Sequence, residues 1–63
     1  MTQFQKVKLK TNKYCNQGLS KGAIGVVLEC YDENNFEVEF SDENGFTIEI
    51  YTFPKDELEI VYE

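Results

Sequence analysis

Ile24-Gly25-Val26-Val27-Leu28-Glu29-Cys30-Tyr31, followed after a polar interval by Phe36-Glu37-Val38-Glu39-Phe40-Ser41, is the stretch on which the fold turns. Side chains of a strand alternate between two faces, so apolar residues at a period of two mark a half-buried strand. On that rule Ile24, Val26, Leu28 and Cys30 form an inward face, and Gly25, Val27, Glu29 and Tyr31 an outward one. In the second segment Phe36, Val38 and Phe40 point inward while Glu37, Glu39 and Ser41 point outward. Asp32-Glu33-Asn34-Asn35 between them are turn formers, which makes the two segments a hairpin.

Working toward the C-terminus, Glu43-Asn44-Gly45 suits a three-residue hairpin loop with Gly45 in the left-handed conformation and Asp42 opposite Phe46. The next strand then carries Phe46, Ile48 and Ile50 inward and Thr47, Glu49 and Tyr51 outward. It ends at Thr52-Phe53-Pro54, because proline cannot donate to a ladder. Lys55-Asp56-Glu57 reads as one helical turn, and Leu58, Ile60 and Tyr62 alternate with Glu59, Val61 and Glu63 as a last strand. Toward the N-terminus, Lys6-Val7-Lys8-Leu9-Lys10 alternates with Val7 and Leu9 facing in. A long polar connection from Thr11 to Gly22 follows, with Asn12, Asn16, Gly18 and Gly22 suited to positive φ. Five short antiparallel strands, one long first loop and one helical turn before the last strand predict an all-β fold, a small SH3-like barrel. The alternative, an open five-stranded oligonucleotide-binding barrel, usually needs more residues.

A chain of 63 residues without repeat or linker is expected to form one domain over residues 1–63. No apolar run approaches the roughly 20 residues needed to span a bilayer. Met1-Thr2-Gln3-Phe4 starts no secretory signal, so a soluble, cytoplasmic protein is expected. Two cysteines are too few for a disulfide-built miniprotein, and Cys15 and Cys30 read as free thiols, Cys30 as a small buried hydrophobe and Cys15 in a polar loop. With no histidine, the ligands for a zinc site are missing, and neither metal nor cofactor is expected.

Leu19-Ser20-Lys21-Gly22-Ala23-Ile24-Gly25-Val26-Val27-Leu28-Glu29, then Phe36-Glu37-Val38-Glu39-Phe40-Ser41-Asp42-Glu43-Asn44-Gly45, and the acidic Asp56-Glu57-Leu58 near the end, resemble a family of short bacterial proteins, the domain of unknown function DUF4926. The shared pattern is a leucine, lysine-glycine, glycine-valine-valine, glutamate block followed by a valine-glutamate-phenylalanine, acid, glycine block. The resemblance implies an SH3-like barrel. Because members are often encoded beside toxin or nuclease-like domains, it also implies an antitoxin or immunity protein. Gly22, Gly25 and Gly45 read as residues of turns or close strand packing. Lys13-Tyr14-Cys15-Asn16-Gln17 falls on no family motif and is a place for member-specific contacts.

Charge carries the functional reading taken from the residues themselves. The net charge is −6; all 12 acids fall at or after Glu29, and five of the 6 lysines before it. The expected register sets Glu29 opposite Glu37 and Glu39 opposite Glu49, four carboxylates on one outer face flanked by Tyr31 and Tyr51. Like charges directly opposite one another destabilise a sheet, which hints at selection for charge, although a solvated acidic face that aids solubility accounts for the same residues. The expectation is an immunity protein or antitoxin that covers a basic toxin domain, a nuclease above all. Glu29, Tyr31, Glu37, Glu39, Glu49 and Tyr51 would be its contacts, and Tyr14 a second one. The alternative is a nucleic-acid or ribosome-associated module using Lys6, Lys8, Lys10, Lys13 and Lys21. The net charge opposes that reading, and the strand-one lysines also read as partners of Glu59 or Glu63. Catalysis is not expected: Ser20 and Ser41 have no histidine base, and Glu39 and Glu49, which as paired carboxylates could mimic a glycosidase dyad, would stand on an open convex face without a cleft for a small-molecule substrate.

Overall fold

The computed structural model describes residues 1–42 and 44–62. Five strands, β1 (Lys6–Leu9), β2 (Ile24–Cys30), β3 (Asn35–Ser41), β4 (Thr47–Pro54) and β5 (Leu58–Ile60), form one antiparallel sheet in the order β4-β3-β2-β1-β5. A single 3-10 turn, Lys55–Glu57, joins β4 to β5, and another, Cys15–Gln17, lies in the loop between β1 and β2. The all-β class, the five antiparallel strands and the helical turn before the last of them follow the reading of the sequence. Among the described residues no helix is long and apolar enough to cross a membrane.

Two bulges decide which side chains the sheet turns inward. Paired residues of adjacent strands share a face, so β3, with Phe36, Val38 and Phe40 buried, sets the reference. Against it β2 pairs Gly25 with Phe40 and Val27 with Val38, then skips Leu28 and pairs Glu29 with Glu37 and Cys30 with Phe36. Before the bulge the expected inward face is therefore inverted. Val27 and Gly25 are buried, whereas Ile24 is exposed and shares the outer face with Val26. Two physical reasons favour this frame. A Cβ on Gly25 would lie 2.8 Å from the Phe40 ring and from Val38 Cγ1, so the missing side chain makes room for the core. The bulge residue's carbonyl is not orphaned, since Gln3 Nε2 donates to Leu28 O at 3.1 Å. After the bulge Cys30 is on the inner side as expected. At the hairpin end it is nonetheless exposed, with Sγ donating to Met1 O at 3.7 Å, which corrects the expectation of a buried thiol. Cys15 is likewise free and exposed.

The second bulge lies on β4. Asp42 N–H donates to Phe46 O at 2.9 Å, and the Asp42 carboxylate accepts from Asn44 N and Phe46 N at 2.9 and 3.0 Å; Gly45 has φ 86°. The expected hairpin loop is thus present at Asn44 and Gly45, while Glu43 lies outside the described residues. The ladder then pairs Ser41 with Thr47 but Phe40 with Glu49, skipping Ile48. That one-residue slip turns the following part of β4 over. Ile50 is exposed on the outer face, Glu49 and Tyr51 lie on the core side, and Phe46 and Ile48 are exposed, contrary to the expected inward set. Phe53, expected to sit at the strand's end, is fully buried inside it, packing edge-on against Phe40 at 5.2 Å and Tyr14 at 5.0 Å between ring centroids.

Val7, Leu9, Leu19, Val27, Phe36, Val38, Phe40, Phe53 and Leu58 make up the core, with Met1, Tyr14 and Ala23 packed against it. Leu19, from the long first loop, is a core residue that alternation does not reveal, because it belongs to no strand. The loop is held by Gly22 N–H to Leu9 O at 2.8 Å, Leu9 N–H to Ala23 O at 2.9 Å and Lys21 N–H to Asn12 Oδ1 at 3.2 Å. Gly18 and Gly22 take positive φ there; Asn12 and Asn16 do not, and Phe4 is the one non-glycine residue that does among those described. The β5 ladder ends at Ile60, leaving Tyr62 exposed instead of inward.

Candidate protein-binding face

The carboxylates converge on the outer face of the β2–β3 hairpin. Glu29 stands directly opposite Glu37. One register step beyond the hairpin end, Tyr31 Oη donates to Glu37 Oε1 at 3.0 Å. This hydrogen bond raises the Tyr31 phenol above its ordinary pKa, partial desolvation and the negative charges of Glu37 and Glu29 adding to it. Glu39 lies on the same face between Val26 on β2 and Ile50 on β4, and its Oε2 accepts from Thr47 Oγ1 at 2.7 Å. Thr52 completes the face opposite Glu37. The turn that sets Tyr31 in place is ordered by Asp32, whose carboxylate accepts from Asn34 N at 2.7 Å and Asn35 Nδ2 at 3.1 Å. These bonds hold the carboxyl below its usual pKa, the Asn34 bond most strongly.

Of the six residues expected to form one face, the structure brings together Glu29, Tyr31, Glu37 and Glu39. Glu49 and Tyr51 are separated from them. Glu49 pairs with Phe40 and Tyr51 with Val38, both on the core side of β4, and the Tyr51 ring meets Phe53 edge-on at 6.2 Å. The expected Glu39–Glu49 pairing is replaced by Glu39 opposite Ile50, a consequence of the bulge at Ile48. What takes the vacated places is Ile50 and Thr52, which the unbulged register would have sent to opposite roles.

Tyr14, the expected second contact, is half-buried. Its Oη donates to Glu57 Oε1 at 2.5 Å, Lys13 Nζ lies 3.2 Å from Glu57 Oε2, and the ring packs on Phe53. Burial, the hydrogen bond and the Glu57 charge push its phenol up to about 12. The residue thus ties the long loop to the 3-10 turn. Lys6 and Lys8 lie on the outer face of β1, opposite Val26 and Ile24, and Lys8 faces Glu59 across β5 as expected; Glu63, the other expected lysine partner, lies outside the described residues.

Among the described residues no group of three or more His, Cys, Asp or Glu side chains is placed to hold a metal ion. An open groove of about 710 Å³ runs past Pro54, Leu58, Ile60 and Tyr62, with Lys10 and Lys55 balanced by Asp56 and Glu59. None of Glu29, Glu37 and Glu39 lines it. These three carboxylates stand on the outer surface of the sheet.

Comparison with known proteins finds one family: residues 5–60 match the domain described as Domain of unknown function (DUF4926). No curated protein and no solved structure matches the chain.

Proposed function

Because the chain belongs to the DUF4926 family over residues 5–60, whose description leaves the activity open, we propose from its surface that it is a binding protein of the immunity or antitoxin type. It neutralises a basic protein, a nuclease toxin being the type that fits best, by covering that protein's phosphate-binding surface with Glu29, Tyr31, Glu37 and Glu39. The observation that carries this reading is the direct opposition of Glu29 and Glu37 on an exposed face, with Tyr31 bonded to one of them. A pair of like charges there weakens the sheet by a few tenths of a kcal/mol or more, a cost that a basic partner would convert into attraction. The mechanism is occlusion, with no chemistry and no cofactor of its own, in the cytoplasm where such a toxin would be held.

The test is capture from native extract by the tagged chain at low and high salt, with the captured protein identified and its activity assayed. Expected is one basic enzyme, inhibited by the chain and released by salt. Replacing Glu37→Lys together with Glu39→Lys should weaken capture by roughly tenfold or more, about 1.4 kcal/mol, without loss of fold. Recovery of ribosomal RNA or DNA, unaffected by those changes and lost on replacing Lys6, Lys8 and Lys10, would overturn the proposal in favour of a nucleic-acid module.

A further inference from the structure

We infer that the open edge of β4 accepts an extended basic segment of the partner as a sixth strand, an inference that rests on the acidic-face reading and gives its geometry. Lys55 N–H donates to Asn34 O and Asp42 N–H to Phe46 O, so the even-numbered residues of β3 direct their backbone groups toward β4. Tyr31 N–H donates to Asn35 O, so the odd-numbered ones serve β2. Opposite Phe36, Val38 and Phe40, it follows that Phe53, Tyr51 and Glu49 spend their amides on β3. The intervening Ile50 and Thr52 point theirs away. Pro54 has no N–H to offer and occupies the position where a ladder does not need one. Among the described residues β4 has no strand on that side.

The bulge at Ile48 and Pro54 bracket a short segment centred on Ile50, Tyr51 and Thr52, where an antiparallel strand can exchange bonds with Ile50 and Thr52. Charge selects the occupant. Side chains paired with those two residues would extend two rows of the outer face, Val26-Glu39-Ile50 and Glu29-Glu37-Thr52. A lysine or arginine at each alternate position stands beside Ile50 or Thr52, two strands or roughly 10 Å from Glu39 and Glu37, and its long side chain reaches across toward their carboxylates. A second copy of this chain would instead bring two molecules of net charge −6 together.

The probe is the peptide acetyl-Lys-Val-Lys-Val-Lys-amide, added to the whole protein at low salt while amide hydrogen exchange is followed by NMR. The Ile50 and Thr52 amides should slow by about tenfold or more at saturation, with those of Glu49 and Tyr51, already bonded, changing less. N-methylation of the central lysine amide, which would donate to β4, should weaken binding about tenfold, whereas methylation of a valine amide should not. Binding that shifts the Glu37 and Glu39 side-chain resonances without slowing Ile50 and Thr52 overturns the sixth strand and leaves the acidic face standing. Binding that touches neither overturns both. Slowing that grows with protein concentration alone, with a dimer in sedimentation, overturns the choice of a basic occupant.

Discussion

Gly25 carries more of the fold than its size suggests. Its φ lies outside the left-handed region, so conformational freedom is not the reason for glycine here. The reason is distance: a Cβ would sit 2.8 Å from the Phe40 ring and from Val38 Cγ1, closer than carbon atoms tolerate. Gly25→Ala would gain roughly 0.4–1 kcal/mol from a stiffer unfolded chain but lose about 1–3 kcal/mol to overpacking. The net expectation is a lower urea midpoint with an unchanged slope; a rise in the midpoint would show that Phe40 gives way freely. The same glycine is why the sequence misleads about β2. Ile24, Val26 and Leu28 outnumber the large side chains of the other frame, so counting apolar residues chooses the wrong face. The volume of Phe40 chooses the right one.

Between elements, Tyr14 and Glu57 join the first loop to the turn before β5. Tyr14→Phe keeps the ring on Phe53 and removes the hydrogen bond at 2.5 Å, so a loss of about 1 kcal/mol is expected at neutral pH. The pH dependence has a definite sign. Folding raises the phenol from 10.0 to about 12, so the folded state holds this proton more tightly than the unfolded chain does. Its contribution is complete below about pH 10 and is lost as pH rises toward 12. The wild type should therefore lose more stability than Tyr14→Phe across that interval, measured as urea midpoints; parallel curves would deny Tyr14 this role. None of this linkage is legible from Lys13-Tyr14-Cys15-Asn16-Gln17 as a string, because Glu57 is more than forty residues away. The two bulges belong to the same scale. Period-two alternation has no means of marking a skipped residue, so Glu29 opposite Glu37 is found while Glu39 opposite Glu49 is not.

For the molecule as a whole, a net charge of −6 on 63 residues implies self-repulsion in the folded state and attraction toward a basic partner. Salt screens both, the Debye length falling from about 10 Å at 0.1 M to about 3 Å at 1 M. Raising NaCl across that range should therefore increase the thermal midpoint by about 2 °C or more, read by circular dichroism, while weakening partner capture. A midpoint that falls with salt would mean that ion pairs such as Lys13–Glu57 outweigh the repulsion. The sequence by itself determined the all-β class, the position of each strand, the turns at Asp32 and Gly45, and the clustering of acids on the β2–β3 hairpin. Those features are local: alternation, turn chemistry and charge act between neighbours in the chain. Only the tertiary structure decided which face of β2 and β4 is inside, that Leu19 and Phe53 belong to the core, and that Ile50 and Thr52 stand beside the carboxylates in place of Glu49 and Tyr51. These depend on how Phe40, Val38 and Phe53 fill one shared volume, and volume is contested between residues far apart in sequence.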